Sequence, residues 1–244
     1  MNVRTSFFGF ALAFAWGCDA PDDDEPDGGL VETDGADEPG IDASEVEGVC
    51  TPGDGDGPFA DCIESFEPGP DAAFGHEGLP DIVLGPPVPD PGGGGSLDVA
   101  SLGCGGVITL FFDPPGIVDG PGDDFVVFEN PFATGDETFA EPARVLVSDD
   151  GRVWFAFDCQ LDGQGTWPPA GCAGVNPVIP IDADALAADP TQAGGDGFDL
   201  ADVGLSEARY VRLVDVSEAH YGGPTWCTGS PAGFDLDAIA AVPR

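Results

Sequence analysis

The chain has 244 residues, of which 46 are acidic and 6 are basic, and its formal net charge is −40. This charge argues against nucleic acid and anionic membrane surfaces as direct partners, because both bind basic protein surfaces. All six basic residues are arginines, so the absence of lysine excludes Schiff-base chemistry and a Walker-type phosphate loop. The 38 glycines and 25 prolines predict a loop-rich β protein with a disordered stretch rather than a helical bundle.

The first 18 residues predict an export signal. Arg4 precedes an apolar run from Phe7 to Trp16, which is too short for a transmembrane helix but suits the core of a signal peptide. The run leads into Ala-Trp-Gly-Cys, which resembles the lipobox of bacterial lipoproteins, where the cysteine carries lipid and becomes the mature N-terminus. We therefore expect residues 1–18 to be a signal peptide ending at a lipidated Cys18. The protein would then be exported and anchored in the cell envelope, at the periplasmic face or the cell surface. A cleaved signal peptide with a chance cysteine is the alternative.

Residues 19–57 predict a disordered acidic tether. They contain 15 acidic residues, eight glycines and no basic residue, so they cannot bury enough apolar surface to offset the entropy of ordering. Loose calcium binding by Asp22, Asp23 and Asp24 is a second interpretation. The remaining residues, 58–244, hold 31 acids and 5 arginines, a net charge of −26, and predict one domain of ordinary size.

The seven cysteines predict three disulfides. If Cys18 carries lipid, six remain, an even number in an exported protein. Pairing cysteines that lie close in sequence closes two short local loops, and the two cysteines that remain form the third pair. The predicted pairs are Cys50–Cys62, Cys159–Cys172 and Cys104–Cys227. Zinc is the competing interpretation, but the sequence has no CxxC pair and its two histidines lie far apart.

The pattern of residues 58–244 predicts an all-β, antiparallel β-sandwich. Short apolar runs rich in Val, Ile and Phe recur between Gly, Pro and Asp, as in sandwich strands. A single segment, 182–188, has a helical pattern. In 145–154, Asp-Gly between apolar runs marks a tight hairpin, with Ser148 placed to bond the turn. The predicted strands are 62–66, 82–84, 96–102, 106–112, 124–129, 144–148, 154–158, 210–216 and 238–242.

Two groups of motifs resemble known families. VSDDGRVW and the later ARYVRLVDV resemble the discoidin domain, also called the coagulation-factor type C domain, which implies a galactose-binding-like jelly roll. FADCIESFEPG, LPDIVLGPP, SLDVASLGCGGVITLFF, GPGDDFVVFENPF and GFDLDAIAAV resemble a domain of uncharacterised function in bacterial cell-surface lipoproteins and secreted proteins. Together they cover nearly all of residues 58–244. The long Gly/Pro loops and the acidic motif depart from discoidin domains, so the resemblance implies a fold and no ligand contacts.

A calcium site is predicted around the acidic segment at 119–130. Clustered carboxylates suit calcium, which takes six to eight oxygen ligands, and the neighbouring glycines let carbonyls turn inward. The resemblance adds to this, since galactose-binding-like domains often carry a structural calcium. In the other interpretation, Asp123 and Asp124 begin a strand and face solvent. The sequence GFDL occurs at 197–200 and again at 233–236, where it marks two similar strand entries. The candidate ligands are Asp119, Asp123, Asp124, Glu129, Asp235 and Asp237.

A glycan site is predicted in the segment 217–227. It contains His220, Tyr221 and Trp226, and aromatic rings stack on sugars while neighbouring polar groups bond hydroxyls. Trp167 would join the same surface. Alternatively, Trp226 covers a disulfide, Tyr221 packs at the base of the loop, and Trp167 fills the space under its own loop.

These observations lead to three hypotheses about function. The first is a lipid-anchored envelope module that binds extracellular glycan or another surface component, with calcium as a structural cofactor. The second is a calcium-dependent structural or adhesive surface protein without a small-molecule site. The third is a polysaccharide hydrolase, but GxSxG, HExxH and Cys-His patterns are all missing from the sequence, so we expect no enzyme.

Overall fold

A computed structural model describes residues 46–47, 50, 57–89, 96–129, 131–134, 137–139 and 141–244. Cys18, the lipobox and most of the predicted tether lie outside the described residues. All described residues belong to one unit, which extends from Asp42 to Arg244. In the described part of the chain, no helix is long and apolar enough to span a membrane.

The described residues form mainly short strands with a few helical turns. The α-helices are α1 (Ala183–Ala188) and α2 (Ser217–Tyr221), and 3-10 turns lie at His76–Gly78, Asp81–Val83, Pro190–Ala193, Leu200–Val203 and Pro224–Trp226. The strands are β1 (Val46–Glu47), β2 (Cys62–Glu67), β3 (Ala100–Ser101), β4 (Val107–Phe111), β5 (Ile117–Val118), β6 (Phe125–Glu129), β7 (Phe132–Thr134), β8 (Glu137–Phe139), β9 (Ala143–Ser148), β10 (Phe155–Ala156), β11 (Asp196–Phe198), β12 (Glu207–Ala208), β13 (Tyr210–Asp215) and β14 (Asp235–Ala241).

Two antiparallel sheets pack face to face as a β-sandwich. The larger sheet has the order β1-β2-β4-β13-β9-β10 and the smaller has the order β11-β6-β14-β3. Alternation along β13 buries Val211, Leu213 and Asp215 on one face. One core cluster joins Val211 and Leu213 to Phe125 and Val127 of β6, so the core lies between the sheets. The prediction of an antiparallel all-β fold is confirmed.

The smaller sheet is covered on its outer face as well. Val126, Phe128 and Ala238 pack there in a second cluster with Leu186 of α1 and Ala193. All five residues of β6 are therefore buried, although alternate side chains point to opposite faces. Asp182 caps α1 by accepting a hydrogen bond from the backbone N–H of Ala185. The predicted helical segment therefore serves to cover the sheet.

The hairpin joining β9 and β10 forms as predicted. Ser148 Oγ accepts a hydrogen bond from the N–H of Gly151 at 2.9 Å, and Asp150 accepts bonds from the N–H groups of Arg152 and Val153. These bonds satisfy the backbone of the turn within the segment itself. The guanidinium carbon of Arg212 lies 3.9 Å from the ring centroid of Trp154, a cation–π contact at the surface of the larger sheet.

Three segments differ from their predicted structure. Residues 82–84 lie largely in a 3-10 turn that buries Val83, and the predicted strand 96–102 is reduced to Ala100–Ser101. The segment 217–227 contains α2 and a 3-10 turn rather than an open loop. In addition, Val46 and Glu47, within the predicted tether, pair with β2 at the edge of the larger sheet. In each case long-range packing, which local patterns do not reveal, decides the structure.

The three disulfides are the pairs that the sequence analysis favoured. Cys50–Cys62 and Cys159–Cys172 close local loops, with sequence separations of 12 and 13. Cys104–Cys227 joins positions 123 residues apart, and its Cα atoms lie 5.4 Å from each other. This third bridge ties the turn before β4 to the segment after α2.

Removing the long-range disulfide should cost more stability than removing a local one. The loop closed by Cys104–Cys227 is far longer than that closed by Cys159–Cys172, so it restricts the unfolded chain more. We expect the paired serine variants to lose about 5 and about 3 kcal/mol of unfolding free energy, respectively. Urea denaturation of both variants measures this difference, and the opposite order would contradict it.

Candidate functional site

The six acidic residues predicted to hold calcium lie in two groups, one at each end of β6. Asp124 precedes the strand and Glu129 is its last residue, so about 16 Å of extended backbone separates them. One ion cannot bind all six, because calcium–oxygen distances are about 2.4 Å. Asp119, Asp123 and Asp124 lie near the start of β6. Asp235 lies near its end because Leu236, the next residue, pairs with Glu129, and Asp237 follows in β14.

At the start of β6, Asp124 is fully buried, and the negative charge of its carboxylate is already stabilised by protein groups. It accepts hydrogen bonds from the N–H groups of Gly120 and Leu200, at 2.9 and 2.7 Å. The Arg244 guanidinium forms an ion pair with the same carboxylate at 2.5 Å. Oxygen atoms of Asp119, Asp124 and Asp199 lie within 4.8 Å of one another, the spacing of a metal site. Arg244 supplies the positive charge that a metal ion would bring to Asp124.

Beside Asp124 lies an open groove of about 710 Å³, which we call the acidic groove. Its floor includes Phe157 and Phe198, whose ring centroids are 4.9 Å apart and which belong to the sandwich core. Gln160 donates a hydrogen bond to Asp158 at 2.7 Å on one side. The four carboxylates that line the groove are Asp123, Asp158, Asp199 and Asp202.

The carboxylates of the acidic groove repel each other. Partial burial, followed by the charges of Asp199, Asp124 and Asp202, raises the pKa of Asp123 above its usual range. Asp123 can approach β11 closely because residue 197 is glycine. A Cβ atom at position 197 would clash with the Asp123 side chain, since it would lie 2.1 Å from the Asp123 carboxylate oxygen. The acidic groove therefore presents a concentrated negative charge to solvent.

The disulfide-closed segment 159–172 forms one wall of the acidic groove. Its base is held by the hydrogen bond from the N–H of Gln160 to the carbonyl of Ala170, at 2.9 Å. Ala170 and Gly171 line both the groove and a smaller adjoining pocket of about 230 Å³. Trp167, which is 36% exposed, immediately precedes Pro168 of that smaller pocket. The backbone of Trp167 thus joins directly to the lining of the smaller pocket, while its side chain is outside the lining of both concavities.

The predicted glycan residues of segment 217–227 are arranged differently. His220 is 1% exposed, so it cannot contact a ligand. Burial lowers the pKa of its imidazole, while the charge of Asp162 opposes this shift. Tyr221 is half-buried and stacks on Phe139, with ring centroids 6.1 Å apart. Helix α2 thus packs its aromatic residues inward, and the side chain of Trp226 lies outside the described part of the structure.

At the far end of β6, buried acidic side chains gather with no arginine among them in the described residues. Glu129 and Glu141 are 4% and 5% exposed, and Asp235 is partly buried. We call these three residues the carboxylate cluster. The described ion pairs with arginine, Arg209–Asp149 and Arg244–Asp124, lie elsewhere. Alternation along β6 puts Glu129 on the face of Phe125 and Val127, toward the larger sheet.

Burial and mutual repulsion disfavour the charged forms of the carboxylate cluster. Burial, followed by the charges of Asp235 and Glu141, raises the pKa of Glu129 well above its usual range. Burial and the charge of Asp235 raise the pKa of Glu141 to about 9, although the N–H of Gly233 opposes the shift. Burial raises the pKa of Asp235 to about 6. Without a counter-ion, these groups hold protons at pH values where ordinary carboxylates are ionised.

Two neighbouring buried carboxylates are well supplied with hydrogen-bond donors. Asp215 accepts bonds from the N–H groups of Gly105, Ser217 and Phe234 and from the Ser217 hydroxyl. Asp196 accepts bonds from the backbone of 174–176 and from the Asn176 amide at 2.8 Å. Their donors stabilise the charged form and offset part of the effect of burial, which still raises the pKa of both groups above its usual range.

The carboxylate cluster has far fewer donors. Glu141 accepts one described bond, from the N–H of Gly233 at 2.6 Å, and Asp235 accepts one from the Ser101 hydroxyl. Glu129 Oε2 is buried without a hydrogen-bond partner among the described residues. Asp237, in the β14 bulge, instead accepts the N–H of Val88 with both oxygens at 3.1 Å. The carboxylate cluster thus combines buried acidic groups with one buried oxygen, Glu129 Oε2, that has no hydrogen-bond partner among the described residues.

Sequence reasoning missed several residues of these two sites. Glu141 follows the β7–β8 hairpin in a segment without a strand pattern, so nothing local indicates its burial. Asp158 and Asp202 are ordinary surface acids in the sequence. The repeated GFDL did contain a signal, because its two aspartates, Asp199 and Asp235, lie in the acidic groove and the carboxylate cluster, respectively.

No protein-family model matches this sequence, and no curated protein is detectably similar to it. Function therefore has to be inferred from the chemistry of the two sites.

The metal-free protein should become less stable as pH rises from about 7 to about 8.5. The folded state retains a proton on Glu141, whose pKa is about 9, while the unfolded chain has released it above about 4.5. Each rise of one pH unit then lowers the free energy of unfolding by up to about 1.4 kcal/mol through this group. The lowered pKa of His220 instead makes stability rise with pH, but only at pH values below 7. Urea denaturation in EDTA measures the slope.

Two variants identify the group responsible for that slope. Glu141→Gln removes one of the two buried glutamates with a raised pKa and should make the slope shallower. Glu218→Gln, at an exposed position of α2, is the matched control and should keep the wild-type slope. Equal slopes in all three proteins would exclude Glu141 as the cause.

Proposed function

We propose that the chain is an exported, lipid-anchored module of the galactose-binding-like jelly-roll type, which binds neutral extracellular glycan in the acidic groove. The observation that carries this proposal is the groove itself, which is lined by four carboxylates and Gln160. The disulfide-closed segment that forms its wall also carries Trp167, which is exposed to solvent. Carboxylates accept strong hydrogen bonds from sugar hydroxyls, and an indole ring stacks on the apolar face of a sugar. Binding sites commonly combine apolar surface with a few such polar groups.

The charge of the acidic groove restricts the ligand class. Its lining includes four carboxylates and no arginine, so uronic-acid and sulfated glycans would be repelled. Neutral polysaccharides and amino sugars carry no such penalty. The formal net charge of −40 means that the whole molecule, and not only the groove, repels anionic glycans.

Export and anchoring are supported by the N-terminal sequence and by cysteine use. The lipobox-like Ala-Trp-Gly-Cys follows a signal-peptide core, and three disulfides are typical of proteins in oxidising compartments. A tether between Cys18 and the folded domain would hold the acidic groove away from the membrane.

Two substitutions in the wall of the acidic groove should weaken glycan binding. The full chain with its disulfides formed is first screened on neutral and anionic glycan arrays. For the best ligand, Trp167→Ala should raise the Kd about tenfold through lost stacking, and Asp158→Asn should raise it by roughly tenfold or more through a weakened charged hydrogen bond. Titration calorimetry measures both.

Matched controls are available away from the acidic groove. Val153→Ala removes an exposed apolar side chain from the β9–β10 turn, and Asp184→Asn neutralises an exposed aspartate on α1. Both should keep wild-type affinity. Undiminished binding by the Trp167 and Asp158 variants, or a preference for anionic glycans, would refute the acidic groove as the binding site.

A further inference from the structure

We infer that a separate cavity of about 830 Å³ binds a small organic amine with an apolar body. It lies where the segment 57–61 meets the end of β14 and the turn that follows β4. We call it the proline cavity, because its lining includes Pro58, Pro114, Pro115 and Pro243. It shares no lining residue with the acidic groove, so its ligand is independent of glycan binding. Its volume is ordinary for a small-molecule site.

The carboxylate of Asp113, in the lining of the proline cavity, points to a ligand. Both of its oxygens are buried, and neither has a hydrogen-bond partner among the described residues. A turn aspartate commonly accepts the backbone N–H two positions further on, but Pro115 has no N–H, and neither has Pro114. The next N–H, that of Gly116, is bonded to the carbonyl oxygen of Asp113 at 2.7 Å. The local backbone therefore offers this carboxylate no donor.

Asp61 brings a second carboxylate to the proline cavity. One of its oxygens accepts the backbone N–H of Asp113 at 2.6 Å, which holds the two residues in contact. Burial raises the pKa of Asp61, the N–H of Asp113 opposes the shift, and the charge of Asp113 adds to it. Arg244 also lines the cavity, but its guanidinium is paired with Asp124. The described ion pairs thus leave both cavity carboxylates without a cation.

The rest of the lining favours an organic cation over a metal ion. A metal ion such as calcium needs six to eight oxygens, and two carboxylates surrounded by apolar side chains do not supply them. An ammonium group donates up to three hydrogen bonds and carries the missing charge, while its hydrocarbon body packs against apolar walls. Aromatic rings in the wall add cation–π attraction. Besides the prolines, the apolar side chains of the lining are Phe59, Phe112, Val118, Ala187, Ala241 and Val242.

Three probes of similar size and different charge test this inference. The full chain, with its disulfides formed, is titrated in a calorimeter with 2-phenylethylamine, 2-phenylethanol and 3-phenylpropionate. The titrations are run at about pH 7 and about 0.15 M salt, which screens general attraction of cations to the acidic surface. The amine should bind at least about tenfold more tightly than the alcohol, because a charged hydrogen bond is stronger than a neutral one. The carboxylate should bind most weakly.

Substitutions locate the amine in the proline cavity. Asp113→Asn should raise the Kd of 2-phenylethylamine about tenfold or more and leave that of 2-phenylethanol unchanged. Asp61→Asn should raise the amine Kd as well. Asp98→Asn is the matched control and should bind the amine like wild type. Asp98 is exposed and lies two residues before β3, whereas the cavity includes Ala241 at the other end of β14.

Thermal melts separate a ligand-binding residue from a merely structural one. Without ligand, Asp113→Asn should melt at or above the wild-type temperature, because its carboxylate has no described partner to lose. Saturating 2-phenylethylamine should raise the melting temperature of wild type, and the same amine concentration should raise that of Asp113→Asn much less. If Asp113→Asn does not fold, Asp61→Asn replaces it in both measurements, and the comparison of the three probes on wild type is unaffected.

Four results would overturn the inference. Wild type might fail to bind the amine at all, or bind the amine and the alcohol equally, and either outcome would exclude a charged contact. Unchanged amine affinity in Asp113→Asn would remove its carboxylate from the site. Loss of amine binding in Asp199→Asn, but not in Asp113→Asn, would place the amine in the acidic groove.

Discussion

The shortage of positive charge is the constraint on which this structure depends. With 46 acidic residues and only six arginines, most carboxylates have no basic partner. Exposed acids are solvated, but several acids lie inside the sandwich and need other compensation. Asp215 and Asp196 receive it from backbone N–H groups, and Asp124 receives it from Arg244 and two backbone N–H groups. Glu129 has an oxygen that receives none from the described residues. Hydrogen-bond donors for the buried acids are thus a requirement of this fold in addition to its apolar core.

Strand β6 joins the two acidic ends of the sandwich. Its five residues are buried because the larger sheet covers one face while α1 and its neighbouring 3-10 turn cover the other. Such a strand is held firmly, and the distance between its ends is set by extended backbone geometry. The acidic groove lies at its start, near Asp124, and the carboxylate cluster at its end.

The acidic groove and the buried segment around α2 show how packing redirects aromatic residues. In the sequence, His220, Tyr221 and Trp226 are candidates for a sugar-binding surface, and Trp167 would join them. In the structure, α2 turns His220 into the interior and stacks Tyr221 on Phe139, whereas Trp167 remains half-exposed beside the groove wall. The disulfide-closed segment 159–172 carries both Trp167 and the groove residues Gln160 and Ala170. This closed segment contributes Gln160, Ala170 and Gly171 to the lining of the acidic groove, whereas α2 contributes none of it.

The sequence by itself determined the features that depend on neighbouring residues. Alternation of apolar side chains predicts strands such as β9 and β13, Asp-Gly and Ser148 predict the β9–β10 hairpin, and Asp182 begins α1. Short cysteine spacings favour the two local disulfides. Only the tertiary structure decided which acids share a site, because that depends on strand register and on packing between distant segments. Register places Leu236, the residue after Asp235, opposite Glu129, and β6 keeps Asp124 at the opposite end. The hydrogen bond from the Gly233 N–H holds Glu141, from a segment without any strand pattern, near the start of β14.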